Sequence, residues 1–255
     1  MKFFLGHLFF LVLIIFGNEF FHYDLWLQKF FLINGVWTID KEYMPLKIFF
    51  YIGIKWAIIL AGVATLVLFF LSFKNPKLKP YKKDFLLLVL AMSIIPSFIS
   101  FLKLHTHMHC PYEINLFGGP YPYLSLFEAT PIGIPWGRCF PAGHASGGFA
   151  LLALYFTKLV SKKNALLIGL GLGWTMGVYQ MLKGDHFLSH SLVTQEISFL
   201  LSFIFYKILQ PIKTDLSWNN RLITKIILSG TAIKIMGFSE LLHHKTSERR
   251  FFFDL

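Results

Sequence analysis

Apolar residues gather in six runs along the chain, near 3–21, 48–73, 84–102, 144–160, 165–182 and 191–209. Each comes close to the ~20 residues, with a range of roughly 17–25, that a helix needs to cross a bilayer. The pattern predicts an all-α, polytopic membrane protein. A six-transmembrane-helix bundle would fill residues 1–210, and a basic tail would follow over 211–255. The first run follows Lys2, as a secretory signal would. The sequence after it, "GNEFFHYD", offers no small-x-small cleavage site, so the run reads as an uncleaved helix. The run "GLGLGW" at 169–174 lacks the spacing of a nucleotide-binding loop. Gly169, Gly173 and Gly177 recur every four residues there, which predicts close helix packing. Between the first two runs, the aromatics and scattered charges of 22–47 predict an interfacial helix.

Composition sharpens this picture. The 255 residues are 55% apolar and 15% charged, where a soluble domain carries about 25% charged residues. The net charge of +11 would also suit a nucleic-acid binder, but the Lys and Arg sit mostly at the ends of apolar runs. There they set orientation rather than form a nucleic-acid face. "KNPKLKPYKK" (74–83), "KLVSKK" (158–163) and the tail with Lys213, Arg221, Lys225, Lys234, Lys245, Arg249 and Arg250 are therefore expected on the cytoplasmic side, with both termini. The tail would meet anionic lipid, and His243 and His244 read as solvated. The segments 22–47, 103–143 and 183–190 then face the outer, periplasmic side of the inner membrane.

Two of those outer segments hold the unusual residues, in three stretches. "KLHTHMHCP" (103–111) alternates His105, His107 and His109, which could ligate zinc if a strand held their rings on one side. "GRCFPAGHASGG" (137–148) has Pro141 and Gly143 before a helix that begins at His144. Unpaired N–H groups at such a helix start make an anion site, and Arg138 could fork onto the same anion. "QMLKGDHFLSH" (180–190) adds Lys183, Asp185, His186 and His190. Ionisable groups at the end of a membrane helix point to function.

The order and placement of these stretches resemble the type-2 phosphatidic acid phosphatase family, whose active site is related to that of vanadium haloperoxidases. The family's signature is Lys, six residues, Arg-Pro; then Pro-Ser-Gly-His; then Ser-Arg, five residues, His, three residues, Asp. Here Lys103, six residues and Cys110-Pro111 correspond to the first part, with Cys in the Arg position. "PAGH" (141–144) corresponds to the second, with Ala142 for Ser. In the third, His186 takes the place of His, Gln180 that of Arg and His190 that of Asp. An alternative register makes His190 the nucleophile. The resemblance covers about 84–209.

That resemblance implies a membrane lipid phosphatase removing phosphate, or one phosphate of a pyrophosphate, through a phosphohistidine on His186. His144 would be the general acid. Lys103, Arg138, Gly143 and Lys183 would hold the phosphate oxygens, and His190, Asp185 or Glu196 would orient the nucleophile. The scheme implies no metal or other cofactor. Lipid A phosphate, polyprenyl pyrophosphate and phosphatidate-type lipids all stay open as substrates. So do a lipid-to-lipid phosphotransferase and a non-catalytic lipid-binding membrane protein. A transporter would place its charged groups near the midplane, whereas these cluster at one end. Cys110 and Cys139 are the only cysteines, and both lie in the outer stretches. An oxidising compartment permits a bridge between them, which would tie the first stretch to the second.

Overall fold

The structure, a computed structural model, describes residues 2–210. The basic tail 211–255, with His243 and His244, lies outside the described residues. Helix α1 (Lys2–Phe21) leads into the short α2 (Tyr23–Gln28) and a small hairpin of β1 (Leu32–Ile33) and β2 (Val36–Trp37). Helix α3 (Met44–Lys47) runs through a π-helical turn (Ile48–Gly53) into α4 (Ile54–Leu71). Then come α5 (Lys82–Leu104), α6 (Gly143–Ala150), a 3-10 segment (Leu151–Phe156), α7 (Lys162–Leu182) and α8 (Leu188–Leu209). Among the described residues, five helical stretches are long and apolar enough to cross a membrane: Phe4–Phe21, Met44–Leu71, Lys79–Leu104, Lys162–Leu182 and Leu188–Leu209.

The run expected to form a helix over 144–160 departs from that form. It is α-helical only over Gly143–Ala150, then 3-10 over Leu151–Phe156. At 1.5 Å per α residue and about 2.0 Å per 3-10 residue, the pair spans ~24 Å, short of the ~30 Å hydrocarbon core. Gly147 and Gly148 weaken the intrinsic helical preference. Ala150, Leu152 and Ala153 are fully buried, so packing on all sides decides the winding.

That segment sits at the centre. On α5, Leu88, Ala91, Ile95 and Ile99 are buried at helical spacing and pack on Ala150, Ala153 and the Ile197 and Leu201 side of α8. Pro96 interrupts the backbone ladder of α5, which a membrane bundle tolerates where neighbouring helices re-satisfy the freed groups. Against α7, backbone meets backbone: a methyl on Gly148 would lie 2.5 Å from the Gly173 nitrogen, and one on Gly169 would lie 2.8 Å from the Leu152 nitrogen. The expected glycine ladder is thus a packing seam. On α8 the buried Ser198 and Ser202 donate hydrogen bonds to the carbonyls of Thr194 (2.6 Å) and Ser198 (2.7 Å). Their short hydroxyls keep that face narrow without leaving orphaned donors.

The segment 22–47 is not one interfacial helix. Asn34 and Gly35 both take positive φ, 51° and 77°, the pairing that closes a two-residue hairpin. The hairpin folds back over the loop between α7 and α8. Gln28 Nε2 donates to the Met181 carbonyl at 2.8 Å, and the Ile39 amide donates to that of Leu182 at 3.2 Å. Trp37 fills the space beside Gly184, where a Cβ would sit 2.5 Å from its ring and φ is +78°.

Gly148→Ala should force α6 off α7 and cost more than ~1 kcal/mol, as overpacked cores do. Gly171→Ala, with no heavy atom within 4 Å of its would-be Cβ, should be neutral or slightly stabilising. Thermal unfolding in detergent compares the two.

Candidate active site

Backbone hydrogen bonds stitch the three polar stretches together. The carbonyls of His107 and Met108 accept from the amides of Gly137 and Cys139, each at 3.1 Å. The approach leaves no room for a side chain at Gly137. Thr106 Oγ1 donates to the Phe140 carbonyl, and Cys110 is joined to Cys139 by a disulfide with Cα atoms 5.1 Å apart. The third stretch is tied to both others. The Tyr112 amide donates to the Gly184 carbonyl (3.0 Å) and the Ala142 amide to that of His190 (3.1 Å).

This stitching brings His144 and His186 together, 42 residues apart in sequence, with His144 Nδ1 3.1 Å from His186 Nε2. His144 stands in the first turn of α6, beside Gly143. Ala142, the residue before the helix, supplies no side-chain cap, so the first amides of α6 are left for an anion. His186 is buried. Its imidazole is held well below its ordinary proton affinity, by burial first and then by the charges of His144, His190 and Lys103. The ring is thus neutral at pH 7, the state in which a ring nitrogen can attack. His186 Nδ1 faces Cys139, whose sulfur lies 3.5 Å away.

The other expected site residues divide. Lys103 ends α5 beside this pair, half-buried, and forms no ion pair among the described residues. It lines a groove of about 590 Å³ with His144, Gly143, Tyr51 and Lys55, and that groove runs on between α4 and α5 along apolar side chains. Lys183 is buried but salt-bridged to Asp185 at 2.7 Å, and Lys41 holds the other carboxylate oxygen at 2.9 Å. Arg138 is exposed, with no hydrogen bond or ion pair among the described residues, and does not line the groove. Of the three candidates for orienting His186, none bonds to it. Asp185 is occupied by the two lysines. Glu196, buried in α8, accepts from His7 Nδ1 of α1 at 2.6 Å. The His190 ring centroid is 5.8 Å from that of His186, and both its nitrogens are buried without a protein partner. Gln180 is buried likewise, its amide unpartnered.

The histidines of "HTHMH" diverge. His105 Nδ1 meets the Phe101 carbonyl (2.8 Å), His107 Nε2 meets that of Ser125 (3.0 Å), and His109 stacks on Tyr121. Donor atoms of Cys139, His186 and His190 lie within 4.8 Å of one another, close enough for a metal. The Cys139 sulfur is in the disulfide, however, and the ligand form of cysteine is the thiolate.

Asp24 holds the site from outside the three stretches. Its buried carboxylate accepts from the amide of Ser189 (2.8 Å) and from the Ser189 hydroxyl, in the first turn of α8 between His186 and His190. Burial raises its carboxyl to about 7, more than the Ser189 hydrogen bonds lower it. The only local signal was an acid early in a short helix after an apolar run, which is too common to stand out.

The raised Asp24 means the folded state holds a proton that the unfolded chain has released. That contribution to stability is complete below the unfolded value near 3.8 and is lost as pH rises through about 7. Asp24→Asn keeps an acceptor for Ser189 and does not ionise. Its melting temperature should therefore gain on the wild type as pH rises from about 4 to about 7 and hold that gain above it, by melts across roughly pH 4–8. A Cys110→Ser, Cys139→Ser double variant should lose about 3–4 kcal/mol, the loop-closure value for a bridge of this span. Chemical denaturation measures that loss, and mass mapping of unreduced protein should find the linked peptide.

A family model described as the PAP2 superfamily matches residues 84–213, about half of the 255. That span takes in all three polar stretches and helices α5 to α8. No curated protein and no solved structure matches the chain. With five helices able to cross a membrane and a polar site at one end of them, the chain belongs to the PAP2 superfamily, whose members are phosphatases.

Proposed function

We propose that the protein is an integral-membrane lipid phosphatase that works through a phosphohistidine, with residues 1–210 as the catalytic domain and 211–255 as a cytoplasmic tail. The observation that carries this is the His144–His186 pair, at 3.1 Å, of which His144 lines a groove that is polar at one end and apolar along its length, with the buried His186 behind it. A lipid phosphate has the same division. Its head would meet Lys103, Gly143 and His144, while its tail lies against Ile58, Val63 and Met92.

In this reading the phosphate displaces the direct histidine–histidine hydrogen bond. His186 Nε2 attacks phosphorus in line, and the bond from phosphorus to the lipid oxygen breaks. Burial, and after it the charge of Lys103, lower the pKa of His144 to about 4. The anionic substrate raises it again, so that His144 gives a proton to the leaving oxygen. Water, losing a proton to His144, then attacks the phosphohistidine and releases inorganic phosphate. Lys103 and the first amides of α6 stabilise the charge spread over the equatorial oxygens. Lys183 contributes less, being shared with Asp185. The lysine pattern supports a periplasmic site in the inner membrane, and with α6 and the 3-10 segment carrying the chain across as a short sixth crossing both termini are cytoplasmic. Lipid A phosphate, polyprenyl pyrophosphate and phosphatidate are the substrates to compare.

The test is phosphate release from these lipids in detergent with chelator present. His144→Ala should lower kcat by about 10²–10⁴, the usual contribution of a positioned general acid. His186→Ala should fall to background, and vanadate, which mimics pentacoordinate phosphorus, should inhibit the wild type. Release that survives both substitutions overturns the reading.

A further inference from the structure

Lys55 has no place in the three motif stretches, and it lies outside residues 84–213. It nonetheless lines the same groove as His144 and Lys103. It stands one helical turn beyond Tyr51, whose ring meets that of His144 edge-on with centroids 5.2 Å apart. Four residues at 1.5 Å put it ~6 Å further along the helix axis. Tyr51 belongs to the π-helical turn of Ile48–Gly53, a form of winding that recurs at functional sites.

Charge makes the position unusual. Lys55 falls within the membrane-length stretch Met44–Leu71, where an ammonium is costly unless it has a task. No carboxylate pairs with it among the described residues. Its one ring contact is a distant one, 5.9 Å from the Tyr51 centroid. Beyond it the α4 wall of the groove is Ile58, Ile59, Gly62, Val63 and Leu66, with no further charge. The order along the α4 side of the groove is therefore Tyr51 against His144, then the Lys55 ammonium, then apolar wall.

A lipid lying in that groove presents three parts in the same order. The reacting phosphate is at the histidines and the chain is on the apolar wall. Whatever joins them lies beside Lys55. In a glycerolipid monophosphate that joint is uncharged ester and glycerol. In a lipid diphosphate it is the second phosphate.

We propose that Lys55 binds the second, lipid-linked phosphate of a diphosphate headgroup, so that the substrate class is a lipid diphosphate in preference to a lipid monophosphate. This rests on the phosphatase reading above. The step balances without any added reactant. His186 Nε2 bonds to the terminal phosphorus, the bond from that phosphorus to the bridging oxygen breaks, and the electron pair stays on that oxygen. The leaving group is the lipid monophosphate, whose new negative charge Lys55 neutralises. Water hydrolyses the phosphohistidine as before. Lys55 thus acts on the charge that develops as the bond breaks, and its absence should be felt in kcat as well as in KM.

The experiment uses the full-length protein in detergent with two probes that share one chain, farnesyl diphosphate and farnesyl monophosphate. The wild type, Lys55→Met and Lys55→Arg are compared. The expected result is a wild-type preference for the diphosphate. In Lys55→Met the ratio of the two kcat/KM values should fall by ~10–100-fold, the usual effect of losing a charge-assisted hydrogen bond. Lys55→Arg should restore most of the ratio, which a merely structural lysine would not require. Melting temperatures of the variants separate misfolding from a true loss. An unchanged ratio in a folded Lys55→Met overturns the inference and leaves the phosphatase reading standing, provided wild type releases phosphate. No release from either probe, nor from phosphatidate, overturns both.

Discussion

Gly148 of α6 lies against the backbone of Gly173 of α7, and the geometry of the site depends on that contact. The first turn of α6 carries Gly143 and His144. The end of α7 leads through Gly184 to His186. Two side chains held at 3.1 Å cannot keep that geometry if the helices slide by an ångström. A bilayer gives little hydrophobic drive for one apolar helix to hold another. The hold must come from close packing of small residues, and that is what the glycines of α7 and the hydroxyl row of α8 provide. The 3-10 segment after α6, buried over Leu151–Ala153, follows from the same constraint, since it is wound to fit its neighbours rather than by its own preference.

The charge around the histidines is arranged with unusual economy. The motif resemblance sets Cys110 and Gln180 at two positions where the family has arginine, and neither side chain carries charge there. Lys183 shares Asp185 with Lys41, so its field is largely cancelled. The strongest unopposed positive features are then Lys103, the uncapped start of α6 and, a turn further along the groove, Lys55. Cys110, in the place of an arginine, instead anchors the loop that ends at Cys139, directly beside His186 Nδ1. A covalent tie thus stands where an ionic one would be expected, and the loop keeps its place without phosphate present.

How much of this was legible in the sequence depends on the distance over which each feature is decided. The long helices follow from apolar run length, and the seam of Gly169, Gly173 and Gly177 from spacing on one face. Both are local. Bringing His144 beside His186 required the placement of helix ends, which alternation of lysine-rich and lysine-poor loops supplied. What escaped were pairings between residues far apart in the chain. Glu196, with a carboxylate near the histidines in sequence, is taken by His7, 189 residues away. Asp24 reaches Ser189 across 165 residues from a segment that shows no pattern of its own. Neither partner announces the other, because a lone acid or histidine in an apolar helix looks the same whichever neighbour satisfies it. The hairpin at Asn34-Gly35 escaped too, because the aromatics and scattered charges of 22–47 point to an interfacial helix. That it closes over the α7–α8 loop is decided by contacts far along the chain.

The Asp24–Ser189 hydrogen bonds also have a bearing on time. Asp24 belongs to the part of the chain that leaves the ribosome early, and Ser189 to the last of the described helices. The same holds for His7 and Glu196. Until α8 has entered the membrane, the early acid has nothing to grip and the His186 loop has nothing to grip it. These contacts tie α8 back to the first helices of the described bundle, so they can form only once α8 has been made.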